Sequence, residues 1–164
     1  ACPAGVLAAG AERELPADVP ADHPRAELDG HEISLPDVVG FHCNDLAAPL
    51  IRCFTSEAAR DADIGQLAGS DALSFSASSV VYVLAYEAIN YGGSSIALSQ
   101  PETDLSSLGW NDVISSFKST NGGHPRWWEA ANYQGGSWQW GKSFWVAYVG
   151  DAANDRFSSV QNYP

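Results

Sequence analysis

Apolar residues stand one at a time at the beginning of the chain. From Ala1 to about Pro36 the sequence is rich in Ala, Pro, Asp and Glu, and most of its larger apolar residues are isolated from one another. Isolated apolar residues bury little surface together, so this composition contributes little to a hydrophobic core. We therefore expect an arm with weak order in this part.

Two short apolar runs and one helical pattern follow. The segments DVVGFHC and LIRCF are brief and rich in β-branched or aromatic residues, which is typical of short strands. The segment TSEAARDADIGQLAG predicts a helix over about residues 56–68. Thr55 or Ser56 would cap its first turn, and Gly69 would end it. We interpret residues 1–79 as an N-terminal extension.

From Val80 onward, short apolar stretches alternate with turn residues. All six Trp lie in this part, with many Gly, in stretches such as VVYVLAYEA, SSIALSQ, RWWEAANY and SFWVAYVG. Frequent aromatic and β-branched runs between turns are typical of an all-β domain. We therefore assign residues 80–164 to a second unit.

This second unit contains an internal repeat. The stretch YEAINYGG begins at Tyr86 and recurs as WEAANYQG at Trp128, 42 residues later. An Asn-Asp-x-x-Ser-Ser run follows each stretch, first at Asn111 and again 43 residues later at Asn154. A repeat of about forty residues fits four short antiparallel strands, which form a Greek key.

Both copies concentrate oxygen donors in the same places. Calcium takes about six to eight oxygens from carboxylates, carbonyls, hydroxyls and water, and Asn, Asp and Ser side chains supply such atoms. The same residue types close turns, so one copy alone would indicate only a turn. Glu87 and Glu129 occupy the same position in both hairpins, which indicates a role for their charge.

Charge narrows the classes of partner. The formal charge is −12, from 20 acidic and 8 basic residues, which disfavours nucleic acid and favours a cation. No apolar run approaches the roughly 20 residues of a membrane-spanning helix. The chain begins at Ala1 and contains no Met, as a secreted protein would after signal removal, although a recombinant chain could begin in the same way. We expect an acidic, extracellular protein.

The three cysteines are an odd number. Cys43 and Cys53 flank the short segment NDLAAPLIR, and we predict that they form a disulfide in an oxidising compartment. Cys2 would then be free or joined to another chain, and a different connectivity stays open. A zinc site from His42, Cys43 and Cys53 is the alternative, but no recognised ligand spacing supports it.

The repeated motifs resemble those of the βγ-crystallin superfamily. The pattern aromatic-x4-aromatic-x-Gly, followed by Asn/Asp-Asn/Asp-x-x-Ser/Thr-Ser and present twice over residues 80–164, is similar to that of the microbial calcium-binding members. The resemblance implies a mainly β fold in which two Greek-key motifs form a β-sandwich. It also implies two Ca²⁺ sites at one end of the sandwich, which would stabilise the fold by mass action.

The resemblance implies which residues hold the two ions. The loop from Asn111 to Ser116 would pair with the hairpin around Glu129. The loop from Asn154 to Ser159 would pair with the hairpin around Glu87. In each loop the Asp side chain, the next carbonyl and the first Ser hydroxyl would bind, while the Asn shapes the loop and the second Ser is structural. The complete set of predicted metal residues is Glu87, Asn111, Asp112, Val113, Ser115, Glu129, Asn154, Asp155, Arg156 and Ser158.

Arg156 departs from this scheme, because a cation near the site would weaken calcium binding unless it points to solvent. Enzyme activity is not expected. The four His are scattered, and no spacing suggests a nucleophile with its base.

A different class of function stays open beside calcium binding. The chain could be a secreted interaction protein of the same fold, resembling a protease inhibitor or a toxin, or binding sugar through exposed Trp. The segment HPRWWEAANYQGGSWQW carries enough Trp for an aromatic patch. Its protein or carbohydrate partner would then contact Trp127, Trp138 or Trp140.

Overall fold

The computed structural model describes residues 23–67, 81–120, 123–142 and 144–162. Cys2 and the helix stop expected at Gly69 lie outside these ranges. Within them, no helix combines the length and the apolar content needed to cross a membrane. The elements are β1 (Arg25–Leu28), β2 (His31–Ile33), β3 (His42–Ala47), β4 (Leu50–Phe54), α1 (Glu57–Leu67), β5 (Val83–Tyr86), β6 (Ser95–Leu98), β7 (Ser116–Ser119), β8 (Pro125–Ala130), β9 (Gln134–Gln139), β10 (Trp145–Val146) and β11 (Ser159–Asn162).

The strands form two sheets. The larger has the order β10-β7-β5-β6-β3-β4-β1-β2, and the smaller has the order β11-β8-β9. The repeats exchange segments: β10 of the second repeat pairs with β7 of the first, while Glu102 of the first repeat bridges to Val160 in β11 of the second. This exchange is what two packed Greek keys produce. The expected mainly β sandwich with a short helix is confirmed.

The core between the two sheets is built from aromatic rings. The Trp127 ring stacks on the Phe157 ring with centroids 4.9 Å apart, and the Phe117 ring lies 5.3 Å from Trp127. All three side chains are fully buried. Large aromatic side chains remove much apolar area from water per residue, so a few of them hold a small sandwich together.

The strands before residue 55 extend the larger sheet. β3 runs parallel to β6, with His42 opposite Ser95, and β1 runs parallel to β4. The expected weak order is therefore wrong for residues 25–33. β1 gains its order from backbone pairing with β4 on one side and with the edge strand β2 on the other, and its buried Ala26 adds an apolar contact. The division of the chain at residue 80 stays a prediction.

The predicted disulfide is confirmed. Cys43 in β3 and Cys53 in β4 lie directly opposite each other and are bonded, with their Cα atoms 4.0 Å apart. Because both sulfurs are used in this bond, neither is available as a thiolate, and the alternative zinc site with His42 is wrong.

Helix α1 is held on the sheet by the buried Ile64 side chain and by polar contacts. Its N-cap is Ser56, whose hydroxyl accepts from the Ala59 amide at 3.2 Å. The buried Asp63 carboxylate accepts from the Asn44 side chain at 3.0 Å and pairs with the Arg52 guanidinium at 3.0 Å. A buried carboxylate is tolerated here because each of its oxygens has a donor.

Candidate metal centre

The two repeats fold their aromatic hairpins in the same way. Asn90 and Asn132 both have φ 57°, in the left-handed region that Asn tolerates better than most residues. Gly93 and Gly135 follow with φ 72° and 79°, where a side chain would be strained. The repeated sequence therefore encodes a repeated backbone.

The second Ser of each motif fastens the hairpin. The Ser116 hydroxyl donates to the Ala88 carbonyl at 2.6 Å and accepts from the Tyr91 amide at 3.1 Å. Ser159 makes the same two bonds to the hairpin of the second repeat, at 2.7 and 3.1 Å. These hydroxyls hold backbone groups of the hairpins, and we assign them a structural role.

Each loop lies against the hairpin of its own repeat. The Ser115 amide donates to the Tyr86 carbonyl at 3.0 Å, and the Ser158 amide donates to the Trp128 carbonyl at 2.8 Å. The expected pairing of each loop with the hairpin of the other motif is therefore wrong. The reason is the sheet register, because each loop leads into a strand that pairs with the strand entering its own hairpin.

The two motifs meet through the loops themselves. The Asp112 amide donates to the Phe157 carbonyl at 3.0 Å, and the Asp155 amide donates to the Ile114 carbonyl at 3.3 Å. The two Asp residues have φ 55° and 54°, so the loops match in conformation as well as in contacts. Each carboxylate is consequently carried by a residue that adjoins the opposite loop.

The Asn of each motif holds the following Asp. The Asn111 side-chain amide donates to Asp112 Oδ2 at 2.7 Å, and Asn154 donates to Asp155 Oδ2 at 2.8 Å. Within the described ranges, no hydrogen bond is made to Oδ1 of either Asp. One carboxylate oxygen in each loop is thus oriented and the other stays available for a cation.

The first Ser of each motif offers a second kind of oxygen. Ser115 is 6% exposed and Ser158 is 9% exposed, and neither hydroxyl makes a hydrogen bond among the described residues. Two hydroxyls at equivalent places, each on a largely buried Ser and without a hydrogen bond among the described residues, suit a cation that accepts uncharged oxygen ligands. In the described part of the chain, no three His, Cys, Asp or Glu side chains gather as a metal site. Any ion would therefore rely on mixed oxygen donors.

The two hairpin acids have different neighbours. Glu87 accepts from the Ser94 hydroxyl at 2.8 Å. Glu129 forms an ion pair with Arg156, so the arginine is directed at the predicted site rather than away from it. Sequence reasoning missed Ser94, although alignment of the repeats places it opposite Gly136 and could have revealed the difference.

The Trp residues proposed to contact a partner lie in or against the core. Trp127 is fully buried, and the rings of Trp138 and Trp140 pack against Phe157 with centroids 5.5 and 6.4 Å away. A partner contact at Trp127 is excluded because its ring is buried, whereas Trp138 and Trp140 are partly exposed and a partner site there stays a prediction. Aromatic side chains that are more than two-fifths exposed occur elsewhere, at Phe144, Trp145 and Tyr148.

A second acidic pair lies away from the loops. Asp45 in β3 is 1% exposed; its Oδ1 accepts from the Ser99 amide at 2.8 Å and its Oδ2 has no partner. Burial raises the pKa of Asp45 to about 6. Burial and the charge of Asp45 raise the pKa of Glu102 to about 7. Both carboxyls line one small pocket.

Solved structures of bacterial and archaeal domains are similar to this chain. A double mutant of a βγ-crystallin domain from Clostridium beijerinckii is 38% identical, with 49% of this chain and 94% of that chain covered and a TM-score of 0.45. An archaeal βγ-crystallin is 29% identical over 51% of this chain and 99% of its own, with a TM-score of 0.43. A domain from Flavobacterium johnsoniae is 28% identical over 50% and 93%, with a TM-score of 0.45.

Sequence identity over nearly the whole length of the Clostridium domain assigns the family. The chain belongs to the βγ-crystallin superfamily. Residues 81–140 also match Peptidase inhibitor family I36. No curated protein matches the chain. A double mutant of clostrillin, 34% identical to this chain, was solved in complex with nickel. The crystallin and inhibitor matches both point to a non-catalytic protein.

Proposed function

We propose that this chain is a secreted calcium-binding βγ-crystallin-type protein in which two Ca²⁺ ions stabilise the fold. The observation that carries the proposal is the contact between the two loops, where Asp112 and Asp155 each adjoin the loop of the other repeat. An ion bound there would be held only when both motifs are assembled. Its binding energy would therefore add to the stability of the folded state.

The residues present fit a calcium ion. We define the first site by Glu87 and the oxygens of Val113 and Ser115, and the second site by Glu129 and the oxygens of Arg156 and Ser158. Asp112 and Asp155 would contribute carboxylate oxygen from the adjoining loops. When bound, calcium would neutralise these acids, which otherwise repel one another in an already acidic chain.

Extracellular function agrees with the chemistry of the chain. The Cys43–Cys53 disulfide requires an oxidising compartment to persist. Calcium is abundant there, and extracellular modules bind it with dissociation constants of about 10⁻⁴ to 10⁻³ M. Weak sites would therefore be filled outside the cell.

The test is calcium titration calorimetry on chelator-stripped protein, together with thermal melts. We expect binding heat and a raised melting temperature with calcium. Ser115→Arg should abolish binding at the first site and Ser158→Arg at the second, because each places a cation among the ligands. Ser137→Arg is the control for added charge on an exposed strand residue. Absence of heat and of any shift at millimolar calcium would overturn the proposal.

A second candidate function is inhibition of a secreted peptidase. The match of residues 81–140 to a peptidase inhibitor family and the exposed Trp145, 61% accessible, favour it. Exposed aromatic side chains are common anchors in protein interfaces. Inhibition of serine, cysteine and metallopeptidases by the wild type should weaken in Trp145→Ser. A wild type that inhibits none of the three classes would remove this candidate.

A further inference from the structure

We infer that Arg156 is a built-in counter-ion for the second site, and that it makes the second calcium site markedly weaker than the first. The inference rests on the proposed function, since it concerns the affinity of one of the two proposed ions. Beyond the proposed function, the two calcium sites differ in affinity, and Arg156 is the residue that causes the difference. The repeat itself supplies the comparison, because Val113 stands in the first loop where Arg156 stands in the second.

Three contacts hold the Arg156 side chain over the second site. Its guanidinium pairs with the Glu129 carboxylate, donates to the Ala152 carbonyl at 3.1 Å, and lies 5.6 Å from the centre of the Trp138 ring. A guanidinium is planar and forked, so it can serve a carboxylate and a carbonyl together while its face covers an aromatic ring. The side chain is therefore directed to one place although it is 48% exposed.

Among the residues that the structure describes, no cation is paired with the hairpin acid of the first site. Glu87 accepts from the Ser94 hydroxyl at 2.8 Å and from the Ser94 amide at 3.4 Å, both of which are uncharged donors. Among the described residues, no basic side chain forms an ion pair with Glu87. In the second repeat Gly136 replaces this serine, and only its amide approaches Glu129, at 3.4 Å. A neutral hydroxyl in one repeat thus corresponds to a guanidinium in the other.

The consequence for calcium follows from charge. At the first site a divalent ion would meet an uncompensated carboxylate. At the second it would meet a carboxylate that is already neutralised, beside a positive charge that repels it or has to move. Through partly exposed surface this difference corresponds to about tenfold in dissociation constant. Without metal, the Arg156–Glu129 ion pair links the loop of the second repeat to its hairpin. Among the described residues, no equivalent ion pair links the loop and the hairpin of the first repeat.

Four variants of the full chain test the inference: Arg156→Val, Arg156→Lys, Glu129→Gln and the double variant Arg156→Val with Glu129→Gln. Arg156→Val gives the second loop the residue that stands in the first loop. Arg156→Lys keeps the positive charge but removes the planar, two-pronged guanidinium group. In calcium calorimetry we expect the wild type to show two unequal sites and Arg156→Val to bind about tenfold more tightly at the weaker one. Arg156→Lys should keep the weaker site weak. Glu129→Gln in metal-free melts should lower the melting temperature as Arg156→Val does, and the double variant should fall no further.

The outcomes separate this inference from the proposed function. If the wild type binds calcium and Ser115→Arg removes the tight site, but Arg156→Val leaves the second site unchanged, the inference alone is overturned. Two equal sites in the wild type overturn it as well. If no variant binds calcium, the proposed function fails, and the inference about calcium fails with it. Tightening of the second site in Arg156→Val but not in Arg156→Lys supports both.

Discussion

The two halves of the larger sheet are stabilised in different ways. The strands from the repeats, β5, β6, β7 and β10, cover an aromatic core that they share with the smaller sheet. The added strands, β1 to β4, reach the same core with smaller side chains such as Ala26 and Ile51, and they are also tied by the Cys43–Cys53 disulfide and by the salt bridge and hydrogen bond under α1. A sheet can therefore be lengthened by strands that bury only small or aliphatic side chains, provided that covalent and polar links supplement this apolar burial.

The largest effect should come from the aromatic core. Trp127→Ala removes the ring that contacts both Phe117 and Phe157, and we expect a loss of about 3–5 kcal/mol in the free energy of unfolding. Urea unfolding followed by circular dichroism measures it. Ile51→Ala, in the buried part of β4, is the matched variant and should cost about 2–4 kcal/mol.

The form of these transitions decides how far the two halves depend on each other. If they unfold together, each variant shifts one common transition to lower urea. If Ile51→Ala instead produces an early separate transition, the added strands unfold by themselves and the halves are independent. A loss below about 1 kcal/mol in Trp127→Ala would contradict the central role of the aromatic core.

A smaller effect is expected from the disulfide. It closes a short loop between opposite strands, so its removal should cost about 2–3 kcal/mol. The change is Cys43→Ala together with Cys53→Ala, and the measurement is the melting temperature with and without reductant. The wild type should lose stability in reductant, whereas the double variant should be insensitive to it. Equal melting temperatures for both proteins in oxidising buffer would show that the added strands do not need the covalent link.

The smallest effect on stability should come from pH, through the carboxyl groups of Asp45 and Glu102. Asp45 lies in an added strand and accepts a hydrogen bond from Ser99 of the first repeat. The folded-state pKa values of Asp45 and Glu102, about 6 and about 7, lie above ordinary carboxyl values. The protonated forms are therefore favoured by folding, and this stability is present below about pH 4 and is lost as the pH rises to 7. We expect the melting temperature to fall from pH 5 to pH 8 through these groups.

Removing the buried charge should flatten this pH dependence. Asp45→Asn keeps an acceptor for the Ser99 amide and should raise stability at pH 8 by about 1–2 kcal/mol, with little change at pH 4. The exposed Glu32→Gln is the control and should follow the wild-type curve. A variant curve parallel to that of the wild type would mean that Asp45 titrates at the same pH in the folded and unfolded chains.

Sequence predicted the repeated half better than the added half for a physical reason. Hairpin geometry is local, so the recurrence of YEAINYGG as WEAANYQG indicated two equivalent hairpins, and Gly93 and Gly135 do adopt matching positive φ values. The strands of the arm were missed because their order comes from a neighbour distant in sequence. No local pattern in Arg25–Leu28 indicates that Leu50–Phe54 will lie beside it.

The candidate site likewise has features that could be predicted from the sequence and features that could not. The oxygen donors could be predicted because their types and positions repeat. The partners could not, since the wrong loop and hairpin pairing and the Arg156–Glu129 contact depend on how strands register in space. Arg156 was visible as a cation in the motif, but its direction is set by Ala152 and Trp138. Sequence repeats thus identify the donors, while packing decides which of them are free.

The parallel pairing of β3 with β6 constrains the order of folding during synthesis. β3 leaves the ribosome early, yet the strand that covers its free edge ends only at Leu98. The β3–β4 hairpin must therefore wait with one edge unpaired while more than forty further residues are made. Such an edge can pair wrongly with another nascent chain, and a chaperone that shields it would raise the yield of folded protein.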